Sequence, residues 1–310
     1  MPSGFPTALV LEQLLNGLQL GLMLFLLASG LTLVLGIMDV VNLAHGSLYM
    51  LGAYFAATLA RATGSFWAGV ALAVPATAVV GVLLEISVLR QVYTRDHLTQ
   101  VLATFALILM FNEGVRMIWG PQALLLTVPQ ELARPVLLLP GLGYSAYRLF
   151  LIGVGAGLAA LLFLLIHRTR LGMWVRAGAS NRAMVQAMGV PIQRVFTVVF
   201  GMSAGLCAVA GGLLGPILAV QVGMGEEILI LAFVVIVIGG IGSVKGALVG
   251  ALLVGIVDTA GRALLPPLFM RLLPPEVASN LGPALASILI YLLMAAVLFL
   301  RPQGLFPVRT

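Results

Sequence analysis

Four polar side chains, Asp39, Asn42, His45 and Ser47, stand close together between two apolar runs, in Gly36-Ile-Met-Asp-Val-Val-Asn-Leu-Ala-His-Gly-Ser-Leu-Tyr49. Such groups are costly in hydrocarbon, so they must face protein, water or a membrane surface. They can hydrogen-bond a small polar solute, which makes Asn42, His45 and Ser47 candidates for the lining of a solute path. The plainer alternative is a satisfied turn. Two other segments imitate catalytic motifs. Gly239-Gly-Ile-Gly-Ser-Val-Lys245-Gly resembles a phosphate loop, but Gly246 stands where Ser or Thr would hold magnesium. It reads as a tight turn, and it breaks an apolar run as the first segment does, which makes Gly240 and Gly242 candidates for the other side of the path. Gly201-Met-Ser203-Ala-Gly205 has the spacing of a nucleophile elbow. It lies inside an apolar helix with no histidine near it in sequence, so it reads as a packing surface. His45, His97 and His167 are scattered, which disfavours a metal site. No catalytic residue and no cofactor is assigned to this chain.

The longest polar segment is His167–Arg194, with five of the fifteen arginines and no carboxylate. Within it Ala183, Met184, Ala187 and Met188 recur at helical spacing, with Arg182 and Gln186 on another face. Ser180 or Asn181 can cap the start, and Gly189 followed by Pro191 ends the helix. A short amphipathic helix among positive charges should lie on the cytoplasmic surface, resting on lipid or docked into a soluble partner.

These pieces must be positioned by membrane helices. The chain has 310 residues, of which 61% are hydrophobic and 8% charged, against about a quarter charged in a soluble domain. The net charge of +6 is dispersed between apolar runs, which argues against a nucleic-acid face. The single cysteine, Cys207, excludes an internal disulfide. Runs long enough to span, at ~20 residues each, occupy roughly 9–36, 67–89, 98–118, 149–166, 195–220, 227–240 and 284–300. Two shorter, glycine-punctuated stretches, 46–60 and 246–262, bring the expectation to eight or nine crossings. The predicted fold is therefore a single all-α, polytopic domain over 1–310, with broken helices and a coupling helix within about 167–194. On one side fall Arg90, Arg95, the 167–194 arginines, Lys245, Arg301 and Arg309; on the other lie Glu131, Glu226, Glu227 and Glu276 among fewer cations. That bias makes the first side cytoplasmic, the N-terminus external and the C-terminus internal. Gly17/Gly21, Gly153/Gly157, Gly211/Gly215 and Gly246/Gly250 are expected packing surfaces, and Glu113/Arg116 and Asp258/Arg262 expected ion pairs. The breaks at Gly36–Gly46 and Gly239–Gly246 echo each other, as in transporters built from related halves.

Asn42-Leu-Ala-His45-Gly, the loop Arg176–Arg194, the turn Gly239–Ala247 and the ending Arg301-Pro-Gln-Gly304 occur in this order. Together they resemble the permease subunit of branched-chain amino acid ABC importers, over about Asn16 to Phe306. The resemblance implies a sister permease or second copy, two cytoplasmic ATPases that hold ATP and magnesium, a soluble substrate-binding protein, and a bacterial or archaeal plasma membrane. It implies that Arg176, Ser180, Asn181, Ala183, Met184, Ala187, Met188 and Gly189 meet an ATPase groove. Family members often carry acidic residues where Ser180 and Asn181 stand, and relatives carry urea, short amides or aromatic acids. A different class, the ion-coupled secondary transporter, would need an unpaired membrane carboxylate, for which Glu12, Asp39 and Glu85 are the candidates. An intramembrane enzyme would need a paired nucleophile and base, which the sequence does not offer.

Overall fold

The computed structural model describes residues 7–139, 142–272 and 274–307; Arg309 lies outside them. In chain order the elements are α1 (Thr7–Met38), α2 (His45–Thr63), α3 (Phe66–Leu84), a π-helical turn (Glu85–Leu89) running into α4 (Arg90–Val92), α5 (His97–Trp119), a hairpin of β1 (Pro135–Leu139) and β2 (Leu142–Ser145), α6 (Ala146–Arg168), α7 (Arg170–Ser180), α8 (Arg182–Ala187), α9 (Ile192–Leu214), α10 (Met224–Gly239), α11 (Val244–Leu272) and α12 (Pro275–Leu300). The fold is an all-α bundle with one antiparallel hairpin at its rim. Among the described residues, seven helices are long and apolar enough to cross a membrane.

Buried α1 and α9 form the centre, and α5, α6 and α12 the periphery. Small residues bring the central helices together. Gly17 and Gly21 of α1 meet the backbone of α11 at Ala251–Ile256, and Gly211 of α9 meets the Tyr49 carbonyl of α2. Backbones this close forfeit no side-chain volume and gain dispersion along their length. Gly153 and Gly157, expected to pack, have nothing within 4 Å of where a Cβ would stand, so their face of α6 is open.

The contacts define two ends. At one end Gly36 meets Gly242, the Tyr93 hydroxyl reaches Met38 Sδ at 3.6 Å, and Lys245 lies 5.6 Å from the Phe163 ring centre. At the other, Trp119 Nε1 donates to Thr58 at 2.6 Å, Leu124 pairs with Val220, and Tyr144 donates to Asn16. Arg90, Arg95, the arginines of 168–194, Lys245 and Arg301 all belong to elements of the first end.

Three sequence expectations are revised. The 246–262 stretch is not short: it is the middle of α11, 29 residues long. Its glycines serve packing against α10, α1 and α12 rather than interruption. The 195–220 run stops as a helix at Leu214, because Pro216 cannot extend it. The 227–240 run is α10, 16 residues, hence ~24 Å long against a hydrocarbon core of ~30 Å.

Candidate substrate path and coupling surface

Both short helices begin inside the bundle. α1 ends at Met38, and Asp39 takes a left-handed backbone at φ 53°, a conformation an aspartate tolerates better than most residues. The chain then folds back inward: the Val41 carbonyl accepts from Thr104 of α5 at 3.4 Å. Asn42 Oδ1 accepts from the Ala44 amide at 3.1 Å, turning the backbone into α2. His45, the first residue of α2, sits against the middle of α9, its Nε2 3.3 Å from Ser203 Oγ and 3.1 Å from Cys207 Sγ. Here α2 meets the start of α10: a Cβ on Gly46 would strike the Gly225 carbonyl, and one on Gly225 the Gly46 carbonyl. Only two glycines permit the contact. The positive ends of two helix dipoles therefore converge within the bundle.

Asn42 and His45 are fully buried and Ser47 nearly so. Asn42 Nδ2 and the hydroxyls of Tyr49 and Tyr54 are buried without a hydrogen-bond partner among the described residues, a costly state in a dry core. Gly240 and Gly242 stand elsewhere. They form the turn at the opposite end of α10, at φ 103° and 81°, and Gly240 is covered by the C-terminal segment, where Leu305 and Phe306 amides donate to Ile238 and Gly239 carbonyls at 2.9 Å. The path candidates thus fall into an inner set and an end set. The sequence reading missed Gly225, Tyr49 and Tyr54; a glycine opening an apolar run was the available signal for the first.

Ser203 does have a histidine beside it, brought from 158 residues away. Both side chains are fully buried, with Gly30 packed on them, so the pair has the character of interior packing. Glu85, a candidate for ion coupling, is not unpaired. Its carboxylate accepts from Arg90 at 2.9 Å, Thr197 at 2.8 Å and Tyr93 at 3.0 Å, joining α3 to the start of α9. Asp39 is exposed. The ion pairs Glu113–Arg116 and Asp258–Arg262 are formed, each at 2.9 Å.

The 167–194 segment holds two helices, not one. α7 is capped by Thr169, whose hydroxyl accepts from Gly172 at 3.1 Å, and α8 by Asn181, whose Oδ1 accepts from Met184 at 2.9 Å. Gly189, at φ 83°, ends the unit. Val185 is buried beneath α8, and Arg182 lies 5.8 Å from the Phe196 ring centre of α9. Ala183, Met184, Ala187 and Met188 face outward, Met184 64% and Met188 78% exposed. Ser180, Asn181 and Gly189 are exposed beside them, whereas Arg176 turns back and donates to the Ile166 carbonyl.

The family described as branched-chain amino acid transport system / permease component matches residues 13–298. The chain belongs to this family. It is 31% identical, over 95% of both chains, to the high-affinity branched-chain amino acid transport system permease protein BraD of Pseudomonas aeruginosa. It is 30% identical to LivH of Escherichia coli strain K12, over 82% of this chain and 87% of that one, and 28% identical to a probable LivH of Methanocaldococcus jannaschii, over 76% of each. No solved structure matches the chain. As a family member with seven membrane-length helices it is a multi-pass membrane permease component.

Proposed function

We propose that this chain is the permease subunit of an ATP-driven, binding-protein-dependent importer that carries branched-chain amino acids or close relatives. The observation that carries the reading is the small apolar face of α8, outward-facing on a capped helix and surrounded by cations. Lipid would favour lysines and bulky anchors at such a surface, whereas a protein groove favours small and flexible side chains. On this reading the face seats in one of two cytoplasmic ATPases, which hold ATP and magnesium. A soluble binding protein delivers solute to the opposite end, and a sister permease or second copy completes the pore. The end rich in cations is cytoplasmic, so the N-terminus is external and the C-terminus internal.

The α2–α10 contact is the constriction. Solute passes when Gly46 and Gly225 separate, and Asn42 and Tyr49 then offer it hydrogen bonds. An apolar side chain suits walls with so few charges, and tight selection falls to the binding protein. Movement of α8 reaches this region through α9, to which Arg182 and Phe196 tie it, and which Glu85 ties to α3.

The test is reconstitution in liposomes with the ATPases and binding protein. Leucine, isoleucine and valine should enter only with ATP. Preferential uptake of urea, short amides or aromatic acids would reassign the cargo. Uptake without ATPases, driven by a proton or sodium gradient, would overturn the reading in favour of a secondary transporter.

A further inference from the structure

A concavity of about 320 Å³ opens at the cation-rich end, between the last two turns of α1, the α6–α7 junction and the start of α11. Its polar lining is Thr32, His167, Arg176, Ser180, Ser243 and Lys245, with no carboxylate. Ser243 caps α11, its hydroxyl accepting from Gly246 at 3.1 Å, so the positive end of a 29-residue helix forms one wall. Thr32 is 1% exposed and its hydroxyl has no hydrogen-bond partner. Neither Arg176 nor Lys245 takes part in a salt bridge among the described residues. Two cations, a helix start and an unused buried hydroxyl therefore surround one space. The arrangement suits an anion with several acceptor oxygens.

The location decides which anion. Lys245 and His167 both lie against Phe163, 42% exposed on peripheral α6, with Leu161 and Leu164 exposed beside it. The cations thus sit at the boundary between apolar perimeter and the bundle end, at headgroup depth. Basic pockets between membrane helices at this depth take acidic headgroups. We propose that this pocket binds the phosphate of one anionic phospholipid, its acyl chains lying along α6. Because Arg176 and Ser180 belong to α7, which runs directly into α8, the bound lipid holds the coupling surface in place. The pocket stands independently of the cargo proposed above, while its effect on coupling rests on the proposed docking of α8.

Native mass spectrometry of the purified chain, with phosphatidylglycerol and phosphatidylcholine offered in turn, tests the assignment. One phosphatidylglycerol should be retained and phosphatidylcholine not. Lys245→Gln should weaken retention roughly fivefold, since one basic side chain near an anionic surface contributes ~1 kcal/mol, and Thr32→Val should weaken it without changing charge. Arg182→Gln, outside the pocket, should leave retention unchanged. Should the variants unfold, a salt series on the wild type substitutes, because headgroup binding must fall as sodium chloride rises. Equal retention of both lipids, or no loss in Lys245→Gln, overturns the site. Displacement of phosphatidylglycerol by millimolar inorganic phosphate overturns the lipid assignment and makes the ligand a free anion.

Discussion

Glu85 and Glu113 each pair with an arginine at 2.9 Å, yet physics assigns the two pairs different weights. The Glu85 side chain is fully buried, while Glu113 and Arg116 are both more than half exposed. Removing the partner of a buried carboxylate leaves an uncompensated charge and costs ~3 kcal/mol or more, whereas an exposed pair contributes ~0–1 kcal/mol. Arg90→Ala should therefore lower the thermal midpoint in detergent far more than Arg116→Ala. Equal shifts would mean that Tyr93 and Thr197 alone satisfy Glu85. Asp96, which caps α5, shows the surface counterpart. Hydrogen bonds from the Thr99 hydroxyl and amide hold its carboxyl below the ordinary range. A depressed folded value means that the stabilisation is present at neutral pH and lost as pH falls through that value.

At the scale of elements, two helix surfaces make separable claims. A bulky charge on the outward face of α8 would meet a desolvation cost of several kcal/mol inside a protein groove, but none on anionic lipid. Ala183→Arg and Ala187→Arg should abolish ATP-dependent uptake while membrane insertion stays normal. Normal uptake by both would remove the docking role. The α2–α10 contact is tested by one methyl group. Gly225→Ala places a Cβ against the Gly46 carbonyl and should cost ~1–3 kcal/mol through overpacking. Gly153→Ala, with open space around it, should be neutral or slightly stabilising because alanine favours helix. Similar thermal midpoints for the two variants would contradict the tight contact.

For the whole molecule, sidedness and path are the quantities to measure. Cysteines at Gln186 and Gln221, both exposed, belong to opposite ends of the bundle, and buried Cys207 adds no background. An impermeant thiol reagent should label Gln221→Cys from outside and Gln186→Cys only after the membrane is opened. Labelling of both from one side would overturn the topology. Asn42→Leu removes a buried donor that has no hydrogen-bond partner among the described residues. It should slow uptake without altering solute binding by the soluble protein, and a normal transport rate would place the path elsewhere.

Membrane residence, the rough position of most long helices, the α8 caps and the family were legible in the sequence; α10 and α11 were the exceptions, the run at 227–240 being a 16-residue helix and the stretch 246–262 the middle of a 29-residue one. Each legible feature depends on information local along the chain: twenty apolar residues for a span, Asn181 and Gly189 at the ends of one turn unit, or motifs in a fixed order. The depth of the first break was not legible, because Asn42 and His45 have the same local pattern whether the chain turns at the surface or folds back inside. What decides is the pair Gly46 and Gly225, which stand far apart in sequence and allow two helix starts to touch. The same reason separated Gly240 and Gly242 from the inner set, joined Ser203 to His45, and gave Glu85 a threonine from another helix. Periodicity and composition report what one segment prefers, whereas these contacts are chosen by how the whole bundle closes over its small residues.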